Sequence, residues 1–286
     1  MDELYTRVSR ATKQVLYQYM KDYDVSLLNY NFNSFFQHCI QNNQIQVLSH
    51  HFSNHKIEGL TVVDELGISF SYEVDNPKVK QNFTLCHELG HYILKHDGNY
   101  FAESIDNQKN LLEREANIFS AIVLMPDIVL LSKIYYSCDT FHQVQNSLEV
   151  SKQALFFRLL DFLREYYPGK DSEIKQAIET YIEGENASIF RLFHDIREQI
   201  IKEFHQFQPS LINQVKQRVK KVGFATSIEY PDLLNQDNWQ AIKASSINLK
   251  TWLVYNKGKS IAYVWDKKRF SDEEAKKKAE LQLLLM

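Results

Sequence analysis

Cysteine is scarce and scattered. Cys39, Cys86 and Cys138 are three, an odd number with no CxxC pair among them, which excludes a disulfide framework and a zinc ribbon and reads as reduced thiols. No sign of charge dominates: 33 Lys and Arg against 36 Asp and Glu leave a formal net charge of −3, so the whole molecule is not an electrostatic nucleic-acid binder and only a local basic patch could serve as one. No window approaches 18 consecutive apolar residues, and the opening stretch MDELYTRVSRATKQVLYQYM is charged throughout. Neither a membrane span nor a signal peptide is expected, which predicts a cytoplasmic protein. Internal repeats and low-complexity tracts are also missing. What remains is 286 residues, 44% apolar and 24% charged, an ordinary globular composition with length enough for about two or three compact units.

Apolar spacing predicts helices over residues 2–21 and 26–41, followed by a switch to β-type alternation at QIQVLSHHF. KIEGLTVV and GISFSYEV flank DELG and read as a hairpin over 56–74, with Gly67 in its turn. Asn76 and Pro77 look like the N-cap and first position of a helix running to about His96. A second helix is expected from about Lys109 to Leu124, closed by Pro126. FHQVQNSLEVSKQALFFRLLDFL has the spacing of a helix-turn-helix joined near Glu149, Val150 and Ser151. YYPGKDS, residues 166–172, is the linker candidate. Residues 172–221 are helical in pattern. Beyond Gly223 all three tryptophans appear, TWLVY and SIAYVW form a second hairpin pattern, and Ser271 with Glu274 spells a capping box before a terminal helix.

One stretch bears chemistry: FTLCHELGHYILKHDG, residues 83–98. On a helix, His87 and His91 lie one turn apart on one face and can aim two imidazoles at one ion. Glu88, rotated about 100° from His87, reaches a water beside that ion rather than the ion itself. Zn²⁺ lowers the pKa of bound water toward about 7, and a neighbouring carboxylate can take its proton. A hydrolytic site needs a third protein ligand, and LLEREANIF, residues 111–119, offers one. Helix phase puts Glu115 on the stripe of Leu111, Leu112, Ile118, Phe119 and Ile122, where a bare carboxylate requires a compensating cation or donor. Glu113 falls on a polar side with Lys109, Asn110 and Asn117, which reads as solvated. The ligand expected from phase is therefore Glu115.

Other candidates have blander readings. Cys86 adjoins a ligand but is rotated from it and reads as a small buried residue. His96 reads as a helix-terminal cation rather than a ligand. His51 and His55 share the four-residue spacing without an intervening acid and read as incidental. The second helix of the helix-turn-helix pattern sets Lys152, Arg158 and Arg164 against Asp161 and Glu165, and its Phe156, Phe157, Leu159, Leu160, Phe162 and Leu163 look like core. A structural helix pair is therefore expected ahead of a DNA reader, with nucleic acid kept as the less favoured partner.

FTLCHELGHYIL followed by EREANIFSAIVLMP resembles the ImmA/IrrE-type metallopeptidases, over residues from about 30 to 165. The resemblance implies an α+β chain with a minimal gluzincin-like zinc-peptidase core. His87, His91 and Glu115 are its implied ligands and Glu88 its base. Cys86 and Ser120 depart from the family pattern, where Ala is usual. The resemblance further implies a regulatory peptidase that cleaves a helix-turn-helix repressor, often encoded beside it on a mobile element. The expected organisation is a peptidase core over 1–130, a helix-turn-helix-like segment over 131–168 and a mixed α/β C-terminal region over 169–286. The rival reading is a noncatalytic or metal-sensing regulator acting through a partner or DNA.

Overall fold

The computed structural model describes residues 3–52, 57–96, 100–104, 111–256 and 258–285. It divides into two compact units, 1–207 and 208–286.

The first unit begins with two helices, α1 (Glu3–Asp22) and α2 (Phe32–Asn43). Asn31 caps α2 by accepting the backbone N–H of Asn33. A four-stranded sheet follows: β1 (Gln46–His50), β2 (Ile57–Asp64), β3 (Gly67–Glu73) and β4 (Tyr100–Ser104), in the order β1-β3-β2-β4. β1 runs parallel to β3, whereas β2 is antiparallel to both β3 and β4. The expected hairpin is therefore present. Its turn is closed by the Asp64 carboxylate accepting Leu66 N–H and by Gly67 at φ 122°.

Between β3 and β4 the chain forms α3 (Lys78–Ile93), which packs on β2 and β3. Pro77, not Asn76, occupies its N-cap position, and no side chain caps it. At the other end Lys95 adopts φ 57°, Lys95 N–H bonds to Tyr92 C=O and His96 N–H reaches back to His91 C=O. This is the 6→1 and 5→2 pattern of a Schellman motif, with a lysine where glycine is the usual residue. α4 (Leu111–Leu124) lies against both α3 and α1 and buries Phe119, Ile122 and Val123 completely. Each such side chain contributes roughly 1.5–3 kcal/mol. The stretch Leu111–Tyr136 is the one candidate among the described residues long and apolar enough to cross a membrane, yet most of it is buried inside the fold. Packing accounts for its composition.

After Pro126 come α5 (Asp127–Leu130), a π-helical turn Leu131–Tyr136, α6 (Phe141–Ser147) and α7 (Lys152–Tyr166). Thr140 and Gln143 form a capping box before α6, and Ser151 caps α7. The helix pair expected from sequence is thus built, with Glu149 at φ 52° in its turn. Its Arg158 is buried, donating to Asp127, Met125 C=O and Tyr5, while Arg164 pairs with Asp161 and Asp171. Those cations are engaged within the fold. Phe157, expected in the core, is half exposed.

The domain boundary differs from expectation. α8 (Asp171–Ile182) and α9 (Ala187–Gln206) bury Ile174, Ile178, Tyr181, Ile189 and Phe193 in the same core as α4 and α7. The division therefore falls after Phe207 instead of near 169. YYPGKDS is a tight turn between packed helices, with Gly169 at φ 80°. The notional boundary at 130/131 also runs through one continuous core.

The second unit comprises α10 (Leu211–Val222), β5 (Phe224–Thr226), a 3₁₀ turn Pro231–Leu234, α11 (Gln236–Ala244), β6 (Leu249–Asn256), β7 (Lys259–Asp266) and α12 (Asp272–Leu285). Its antiparallel sheet has the order β5-β7-β6. Alternation along β7 sends Ala262 and Val264 into one apolar cluster and Ile261, Tyr263 and Trp265 into another with α12. Trp265 is buried, whereas Trp252 is largely exposed.

Candidate metal centre

α3 and α4 bring three ligand atoms together. His87 Nε2 lies 3.0 Å from His91 Nε2 and 3.0 Å from a Glu113 carboxylate oxygen, and His91 Nε2 lies 3.7 Å from the other. All three residues are buried and form a group able to hold a metal ion. Tetrahedral bonds of 2.0–2.1 Å place ligand atoms about 3.3 Å apart, close to the 3.0–3.7 Å separations here, where the two histidines face different oxygens of Glu113.

The outer ring nitrogens fix what the inner ones offer. His87 Nδ1 is 2.9 Å from the Asn117 side-chain oxygen, which can only accept, so Nδ1 carries the proton and Nε2 presents a lone pair. His91 Nδ1 is 2.8 Å from His96 Nδ1, and His96 Nε2 is 3.1 Å from a Glu115 carboxylate oxygen. A carboxylate only accepts, so His96 donates to it from Nε2; with His96 Nδ1 accepting, His91 donates from Nδ1 and turns Nε2 toward His87 and Glu113. Two imidazole lone pairs and a carboxylate therefore converge, and a cation satisfies all three at once. Burial pushes the His91 imidazole pKa down, favouring the neutral form that ligates. Burial alone would raise the Glu113 carboxyl, but the neighbouring His87 and His91 rings outweigh it and bring it to about 2, so it is charged at neutral pH.

The carboxylate assignment made from helix phase is corrected here. Glu115 is not beside His87 and His91; it accepts from Arg7 of α1 and from His96. The residue read as solvated, Glu113, faces the histidines, and its neighbour one turn on, Asn117, holds His87 from outside. The polar side of α4 is the side that builds the site. The His96 side chain is buried and links His91 to Glu115.

Glu88 is fully buried on α3 and accepts from the Thr61 hydroxyl of β2. Two residues earlier on the same face of β2, Gly59 lies directly beneath it: a Cβ there would come within 2.5 Å of a Glu88 carboxylate oxygen and 2.4 Å of Thr84 Cγ2. The strand thus forms the floor that holds Glu88, a role no spacing rule in the sequence announces. Cys86 is fully buried, and burial pushes its thiol pKa well up, so it stays protonated inside the core. His51 meets Asp75 at 3.0 Å on the surface, and His55 lies outside the described residues.

A cavity of about 720 Å³ lies against α4 and α7, lined by Phe83, Asn117, Ile118, Phe157 and Glu165 among others. His87, His91 and Glu113 are not among its lining residues.

Comparison with known proteins agrees with this geometry. Residues 42–160 match the model of the IrrE N-terminal-like domain, a peptidase M78 family. No curated protein matches the chain. The matched stretch contains α3, α4, the β2 floor and most of the helix pair, so residues 42–160 are similar to that peptidase-type domain.

Proposed function

We propose that the chain is a cytoplasmic zinc-dependent endopeptidase of regulatory type, with His87, His91 and Glu113 as ligands and Glu88 as general base. The observation that carries the reading is the convergence of two imidazole lone pairs and a charged carboxylate within 3.0–3.7 Å. A lone dication satisfies such a set, and two nitrogen ligands with one carboxylate are a hydrolytic zinc choice that leaves a coordination position open.

Zinc held there would supply Lewis acidity, lowering the pKa of a bound water toward about 7 and polarising a peptide carbonyl. Glu88 takes the proton of the attacking water and delivers it to the departing amide nitrogen, so one carboxylate serves as base and then as acid. Thr61 donates to one Glu88 oxygen and Gly59 sets its height over β2, fixing the base without charging it. Asn117 and His96 hold the two imidazoles in the tautomers that ligate.

The proposed substrate is a helix-turn-helix repressor, the class that the family resemblance implies. The protein is to be co-expressed with the product of a neighbouring regulatory gene, with intact protein and fragments read by mass spectrometry. Wild type yields a fragment pair and Glu88→Gln yields none while retaining zinc. Equal cleavage by both proteins would overturn the role of Glu88, and zinc bound without a cleaved partner would favour the metal-sensing alternative. DNA remains the less favoured partner because Arg158 and Arg164 of α7 are engaged in internal ion pairs.

A further inference from the structure

We propose that Glu115 and His96 form a relay that positions His91 for metal, anchored from α1 by Arg7. The inference rests on the metal reading above. It assigns Glu115 to positioning rather than ligation.

Four contacts in series carry it. Arg7 donates to one Glu115 oxygen, and His96 Nε2 stands 3.1 Å from the other. His96 Nδ1 stands 2.8 Å from His91 Nδ1, and His91 Nε2 faces His87 and Glu113. The carboxylate is the only member that can accept alone, so it sets the direction of every donor behind it: His96 donates to Glu115, and His91 donates to His96. Without Glu115, His96 has no reason to keep its proton on Nε2. It could then donate from Nδ1 toward His91, which would force the His91 proton onto the ligating nitrogen. Metal-bound histidines commonly donate their other N–H to such a partner, and its loss typically lowers affinity by about 10- to 100-fold.

The backbone makes the relay local. His96 is the residue after Lys95, whose φ of 57° turns the chain, and His96 N–H bonds to His91 C=O. The Schellman turn that ends α3 therefore folds His96 back over the imidazole five residues before it. Glu115 reaches His96 from α4, on the flank of that helix that also meets Arg7. His96 and Glu115 are almost completely buried, whereas the Arg7 side chain is 61% exposed. The inner two members should consequently carry most of the effect.

The test is zinc affinity of the full chain, measured by chelator competition, with Co²⁺ absorption as a report on coordination and circular dichroism of the apo-protein as a control for folding. His96→Ala and Glu115→Ala are each expected to weaken zinc binding about 10- to 100-fold with the Co²⁺ spectrum unchanged. Because the relay is serial, the double variant should be no weaker than the singles by more than about threefold. Arg7→Ala should lose no more than a fewfold. Glu115→Gln, near-isosteric and still able to accept, should fold as wild type and fall between wild type and Glu115→Ala. Wild-type affinity in both alanine variants would overturn the proposal, as would losses that multiply in the double variant. A Co²⁺ spectrum altered by Glu115→Gln but not by Glu113→Gln would also overturn it, since Glu115 would then be a ligand. Failure of the wild type to bind zinc would remove the metal reading and the relay with it, an outcome visible before any variant is made.

Discussion

Replacing Gly90 with alanine sets two effects of known sign against each other. Alanine in place of an interior helical glycine adds about 1 kcal/mol through reduced backbone entropy in the unfolded chain. Against this, a Cβ at position 90 would stand 3.1 Å from Phe119 Cδ1, 3.2 Å from Phe119 Cβ and 3.2 Å from the Ala116 Cα. Phe119 and Ala116 are completely buried on α4, and one contact is to backbone, so neither can swing aside. Overpacking of this kind costs about 1–3 kcal/mol. The net expectation is apo-protein destabilised by about 1 kcal/mol in urea denaturation, a small sum of larger opposing parts. The larger consequence is functional. α3 carries His87 and His91 and α4 carries Glu113, so relief of the contact by parting the helices moves the ligand sets away from each other. Metal sites tolerate about 0.2 Å in bond length, and a displacement of a few tenths of an ångström should weaken zinc binding on the order of tenfold. Urea unfolding of apo-protein and chelator competition on the same sample separate the two. Gly90→Ala protein that gains about 1 kcal/mol and binds zinc as wild type would refute the argument that this glycine sets the distance between the helices.

Asp127→Ala should destabilise the first unit by about 3–5 kcal/mol, because Asp127 is buried between Lys13 and Arg158 and its loss removes the carboxylate paired with buried Arg158 and leaves Lys13 with Glu203; an unchanged urea midpoint would contradict this. Burial pushes the Glu165 carboxyl up from 4.5 to about 7, with Asp127 adding to the rise while Lys13 and Arg158 oppose it. The folded state therefore holds this proton more tightly than the unfolded one, so the stabilisation is full below about 4.5, declines as pH rises through about 7 and is lost above it. Glu165→Gln should match wild type near pH 4.5 and exceed it by about 2 kcal/mol at pH 8, and urea curves at the two pH values check the sign. Gly59→Ala drives a methyl group into Glu88 and Thr84; cleavage should fall at least tenfold while zinc stoichiometry holds, and loss of both together would show that β2 supports the ligands as well as the base. Stripping zinc with a chelator should abolish cleavage and lower the thermal midpoint, both restored by zinc, since metal at about 1,000 times its Kd adds about 4 kcal/mol.

Much of the arrangement was legible because the relevant signals are local. The 3- and 4-residue period of α3 and α4, the Gly67 turn and the turn near Glu149–Ser151 each act within a few residues, so the sequence carries them openly. The four-residue spacing of His87 and His91 is likewise a property of one helix. The domain boundary was not legible. Tyr167-Pro168-Gly169-Lys170 has linker composition, yet α8 returns Ile174, Ile178 and Tyr181 to the core that α7 occupies. A tight turn and a linker share the same residues, and only long-range packing distinguishes them.

The carboxylate misassignment has a more specific cause. Assigning a ligand by helix phase presumes one buried face and one wet face, and α4 has no such division where it matters. It lies between α3 and α1, so Glu113 and Glu115, about 200° apart around the axis, are both buried, each with its own cationic or donor partners. Leu111, one of the residues that defined the supposed core stripe, is 58% exposed. A polar face on a helix enclosed on two sides cannot be there for water, and this one displays Glu113 and Asn117 to the same imidazole. On the metal reading proposed above, the two acids of EREAN divide the work between opposite sides of the helix: Glu113 faces His87 and His91 on the α3 side, and Glu115 meets His96 and the arginine of α1. An enclosed helix with acids two residues apart can serve a metal from inside and outside its ligand sphere at once, which a single amphipathic helix at the surface cannot do.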